Sequence, residues 1–123
     1  MVSSLLLRVS TLFLLCGLVF GITMGIKQDF SLAPAHAHLN LVGFVLMFLA
    51  GLYYRVVPKA ELGLLPKLQA GLHILGALVF PLGIALVLVA GPERYEAFVI
   101  IGSLIVLAAI ALFTWIVFRT ASV

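Results

Sequence analysis

The sequence predicts an all-α, polytopic membrane protein of four transmembrane helices, and three observations predict it. Hydrophobic residues make up 65% of the 123 positions and charged residues only 9%, against about 25% charged in soluble domains. The mean hydropathy is +1.37. The apolar residues also gather into long stretches, each close to the ~20 residues that cross a hydrocarbon core. Such surfaces suit lipid rather than water. The chain has room for one domain, residues 1–123.

The first helix is expected at about 4–26. It has no basic residue before Arg8 and no Ala-x-Ala-like cleavage site, and Cys16 follows Leu14 and Leu15 rather than small residues. It therefore reads as a retained helix rather than a signal peptide. Gly17, Gly21 and Gly25 recur every fourth residue, a groove that lets another backbone approach closely in lipid. That groove serves either packing within the chain or a subunit contact.

The second helix is expected at about 34–56, with Pro34 in its first turn and Ser31 upstream as a cap. The third is expected at 64–90, with Pro81 inside it removing a backbone donor and bending it. The fourth is expected at 95–118. Short connections carry most of the charge, including Lys27 and Asp29, then Lys59, Glu61 and Lys67, then Glu93, Arg94 and Glu96. Short connections make successive helices antiparallel neighbours.

Arg8, Arg55, Lys59, Lys67 and Arg119 fall on one side of this plan, and Lys27 and Arg94 on the other. The positive-inside rule then puts both termini in the cytoplasm, for a protein of a bacterial-type inner membrane. Trp115, Tyr53 and Tyr54 fit an aromatic belt at the cytoplasmic interface. The net charge of +3 includes no basic run, so it reads as orientation and not as nucleic-acid binding. A lone cysteine, Cys16, excludes an internal disulfide and a cysteine-based metal cluster. No nucleophile constellation resembles a hydrolase. No carboxylate lies within a span, which argues against a proton-coupled carrier of the small multidrug type.

All three histidines stand in or beside spans, where an ionisable group is a functional candidate. Imidazole ligates haem iron, copper and zinc, so His36, His38 and His73 are candidate metal ligands. Residues two apart on a helix point roughly 200° from each other. His36 therefore shares a small, polar, inward face with Asn40, Gly43, Met47, Ala50 and Tyr54. His38 shares an apolar face with Leu41, Val42, Val45, Leu49 and Leu52, facing lipid, another subunit or a large apolar ligand. Asn40 either bridges helices or orients an imidazole. His73 shares its face with Gln69, Gly76, Ala77 and Phe80, and hydrogen-bonds to Gln69 or nearby backbone if it is no ligand. At ~1.5 Å per residue, it is expected some ten ångströms or more from His38 in depth. Met24 and Met47 are soft donors that more commonly serve packing.

The run Ala35-His36-Ala37-His38-Leu39-Asn40-Leu41-Val42-Gly43-Phe44 resembles the second transmembrane helix of haem–copper oxidase subunit I, cytochrome c oxidase-like proteins of the cbb3-type and nitric oxide reductase branch. There a His-x-Asn pattern opens the helix and the histidine is an axial ligand of the low-spin haem. The resemblance makes His38 the cofactor ligand and Asn40 its companion. The doubled His-Ala-His is also similar to NnrS-type haem and copper proteins, which brings in His36. Leu72-His73-Ile74 with Phe80-Pro81 is faintly similar to the family's eleventh helix.

That subunit is built as three arcs of four helices, so this chain corresponds to about one arc, and three copies in a closed ring would rebuild the whole. The resemblance therefore implies a homo-oligomer, a homotrimer above all, holding haem b or copper. Electron transfer, gas binding or oxidase-like redox chemistry with a respiratory redox partner would follow. Two other readings stay open. One is a non-catalytic assembly or accessory subunit of a respiratory oxidase. The other is a small channel or transporter lined by His36, Asn40 and Gln69.

Overall fold

The structure, a computed structural model, describes residues 1–121. Among them there is no strand, and four helices are long and apolar enough to cross a membrane. They are α1 (Val2–Lys27), α2 (Ala33–Val56), α3 (Leu65–Ala90) and α4 (Pro92–Thr120), so the protein is a multi-pass membrane protein.

Each boundary has a local cause. α1 closes on Gln28 in the left-handed region, φ 52°. The Gln28 N–H donates to Gly25 O and the Asp29 N–H to Met24 O, a pairing that satisfies the last carbonyls of the helix. Pro34 stands in the first turn of α2, but Ser31 is not its cap. The Ser31 N–H is held instead by Asp29 Oδ1 at 3.0 Å. That bond, with further help from the Ser31 side chain and Lys27, keeps the exposed Asp29 carboxyl below its ordinary value.

Between α2 and α3 a 3-10 turn, Pro58–Glu61, places Glu61 Oε1 2.8 Å from the Ser3 N–H, where it caps the start of α1. α3 runs unbroken past Pro81. It turns into α4 through Gly91 alone, whose φ of 91° suits a residue without Cβ. Glu93, Arg94 and Glu96 accordingly sit in the first turns of α4 rather than in a connection.

The helices pack as a row in chain order, with α3 and α4 closest. A Cβ on Gly102 would lie 2.7 Å from Phe80 Cα, and one on Gly83 would lie 2.9 Å from Val99 N. Backbone meets backbone at these points, which is how helices associate where lipid removes the hydrophobic drive. α4 also reaches the C-terminal end of α2, where Phe113 packs edge-on against Tyr53 and Tyr54. Tyr54 is fully buried. It belongs to the core with Leu6 and Met47 rather than to an interfacial belt. Leucines, isoleucines and phenylalanines cover the outside.

Candidate functional site

The candidate site is the N-terminal half of α2, and the backbone of that helix is not uniform. Ala33–His38 is α-helical, Leu39–Leu46 is π-helical, and Met47–Val56 is α-helical again. A π segment bonds i to i+5 and changes which residues share a face. Val42 therefore turns inward and is buried beside Gly43, instead of lining the outer face with Val45. Leu41, Val45, Leu49 and Leu52 remain exposed, as an apolar face requires.

His36 points inward. Its ring meets Phe20 edge-on, with centroids 5.6 Å apart, and Asn40 Nδ2 lies 3.2 Å from His36 Nε2. Both side chains occupy the groove on α1. A Cβ on Gly21 would come within 2.9 Å of His36, and one on Gly17 would overlap Asn40 Oδ1. Gly25 has nothing within 4 Å. Gly17 and Gly21 thus serve packing within the chain and not a subunit contact. The His36–Asn40 pair leaves His36 Nδ1 and Asn40 Oδ1 buried without a partner.

His38 is set differently. Its Nδ1 lies 2.7 Å from the Pro34 carbonyl oxygen. A carbonyl only accepts, so a neutral His38 carries its proton on Nδ1 and keeps a lone pair on Nε2. Nε2 has no hydrogen-bond partner and is not among the buried unpartnered atoms, so it keeps some exposure on a half-buried ring. The ring is steadied by Phe80 of α3, edge-on at 5.0 Å between centroids.

His73 is fully buried and both of its nitrogens are engaged. Nε2–H donates to Val42 O at 3.0 Å, and Nδ1 accepts from Gln69 Nε2 at 3.2 Å. The Tyr54 hydroxyl in turn donates to Gln69 Oε1 at 3.1 Å. This chain ties α3 to α2 with each buried polar atom answered. His73 meets α2 at Val42, whereas His38 meets Phe80, seven residues and about 10 Å further along α3, in line with the expected separation in depth. The predicted Gln69 partner is present. The Val42 and Tyr54 partners were not foreseen, since both depend on how α2 turns against α3.

Among the described residues, no three histidine, cysteine or acidic side chains gather as an ion-holding group. A cleft of about 220 Å³ between α1, α2 and α3 is lined by apolar groups such as Phe13, Leu39 and Pro81, with no histidine. A porphyrin would find no ligand nitrogen there. The residues present fit haem or copper only as a half-site at His38 Nε2, the one histidine nitrogen that is neither hydrogen-bonded nor fully enclosed. In α4 the hydroxyls of Ser103 and Thr114 both bond back to their own helix, and so offer little to a polar path. Comparison with protein families, with curated proteins and with solved structures finds no match to this chain.

Proposed function

We propose that the protein is a haem-binding subunit of a membrane-embedded homo-oligomer, with His38 Nε2 as an axial ligand and a histidine of another copy completing the iron. The observation that carries this reading is the Pro34 carbonyl on His38 Nδ1. It fixes the tautomer and orients the ring, as partners behind metal-bound imidazoles do. Leu41, Val45 and Leu49 are exposed further along the same helix, an apolar surface that would suit a porphyrin. Haem b, when bound, would supply a one-electron couple or a gas-binding iron. Copper on a threefold axis, held by three copies of His38, is the second ligand chemistry the same nitrogen suits.

The resemblance of the start of α2 to haem–copper oxidase subunit I supports haem over copper and a homotrimer over other oligomers. It also supports a bacterial-type inner membrane and a respiratory redox partner. The excess of Lys and Arg beside the N-terminus and the 57–64 connection supports cytoplasmic termini. The test is an optical spectrum with pyridine haemochrome and copper analysis on detergent-purified protein, plus the mass of the particle. A Soret band or bound copper that disappears in His38→Ala, and survives in His36→Ala, is expected. Wild-type protein free of both cofactors when expressed with haem and copper supplied overturns the reading.

A further inference from the structure

At the inner end of the molecule, the end that carries the N-terminus, a pocket of about 130 Å³ opens between the 3-10 turn, the start of α3 and the last turn of α4. Lys59 and Arg119 both line it, and no acidic side chain does. Glu61, the acid nearest Lys59 in sequence, is turned away to the Ser3 N–H and hydroxyl. The pocket also includes Leu65 and Pro66 at the start of α3, where no side chain caps the helix. Two cations and the positive end of a helix thus face one cavity.

Its other wall is apolar, with Leu62, Leu65 and Ile116. Thr120 lines it too, but its hydroxyl hydrogen goes to Ile116 O and its oxygen pairs with the Tyr53 hydroxyl, so the cations carry any recognition. Trp115 and Phe118 are exposed on the last turns of α4, as side chains are at the level of lipid headgroups.

We infer that this pocket binds the phosphate of an anionic phospholipid in the leaflet on the N-terminal side. A free phosphate would satisfy the cations but not the apolar wall of Leu62, Leu65 and Ile116. Basic pockets between transmembrane helices on the cytoplasmic side commonly serve this purpose. The inference is independent of any haem or metal at His38.

Native mass spectrometry of the full chain in detergent tests it, with phosphatidylglycerol and phosphatidylcholine supplied at equal concentration. The wild type should retain phosphatidylglycerol in clear preference. Lys59→Gln with Arg119→Gln should weaken that retention by about thirtyfold, at roughly fivefold for each cation removed. Lys67→Gln, whose side chain lines a separate pocket with Glu61, should leave it unchanged. Equal retention of the two lipids by the wild type overturns the inference without recourse to any variant. A loss in Lys67→Gln as large as in the double variant overturns it in favour of diffuse surface charge. Displacement of the lipid by equimolar inorganic phosphate overturns it in favour of a free-anion site.

Discussion

His73→Leu separates a structural histidine from a ligand. The substitution removes two hydrogen bonds, to Val42 O and to Gln69 Nε2, at a fully buried position. Interhelical hydrogen bonds in membranes average about 0.6 kcal/mol and reach about 1.7. Two of them give about 1.2 kcal/mol at the average and about 3.4 at the upper limit. The upper half of that range is expected, because Gln69 Nε2 is left unanswered in a closed interior. The assay is reversible unfolding in mixed bicelles, followed for His73→Leu, Gln69→Leu and the double variant. The cycle should return a coupling of about 0.6 to 1.7 kcal/mol for the Gln69–His73 bond. A coupling below about 0.3 kcal/mol, the ordinary error of additivity, refutes the network. On the same samples a haem or copper spectrum should persist in His73→Leu. Its loss from a folded His73→Leu protein would make His73 the ligand and refute the assignment to His38.

The groove on α1 makes a second test. Gly17→Ala places a methyl on Asn40 Oδ1 and should cost about 1–3 kcal/mol in unfolding, whereas Gly25→Ala, with nothing within 4 Å, should change stability by less than about 0.5 kcal/mol. Gly102→Ala meets the Phe80 backbone rather than a side chain. It should splay α3 from α4, read as faster hydrogen exchange along both helices, and unchanged exchange would disprove the close approach. Asp29 should titrate below its ordinary value of 3.8 because of the Ser31 N–H. A depressed carboxyl contributes stability above its unfolded value and loses it as pH falls through the lower, folded one. Ser31 amide protection should therefore hold at pH 5 and fade only below about pH 4, and fading already at pH 5 contradicts the bond.

The four spans were legible because hydropathy over ~20 residues reports a constraint that lipid imposes on every helix. The inward face of His36 was legible for a similar reason, since 3.6-residue periodicity places it with Met47, Ala50 and Tyr54 regardless of neighbours. What escaped the sequence depends on a partner. Val42 reads as a lipid-facing residue in an α-helix, and only the π segment buries it. Tyr54 reads as an interfacial tyrosine until Gln69 is opposite its hydroxyl. The glycines that matter between α3 and α4, Gly76, Gly83 and Gly102, lack the four-residue rhythm that draws attention to α1. Their signal was a seven-residue step within α3, the spacing of two helical turns on one face.

These same features decide which histidine is left for chemistry. The π segment turns Val42 inward, where its carbonyl receives the His73 proton. That engages His73 on both nitrogens and removes it from the donors the chain can offer as folded. His36 keeps an unpartnered nitrogen, but Phe20 and the α1 groove enclose it, so a metal could reach it only by displacing packed helices. His38 alone has a ring nitrogen that is neither hydrogen-bonded nor fully enclosed, and its proton is drawn to the other nitrogen by Pro34, in the first turn of the helix. A single imidazole does not hold haem iron or copper in a closed coordination shell. On the proposed reading, any further ligand to a metal at His38 would come from outside this chain. The proposed oligomer rests on that ligand count and not on any apolar patch on the surface of one protomer.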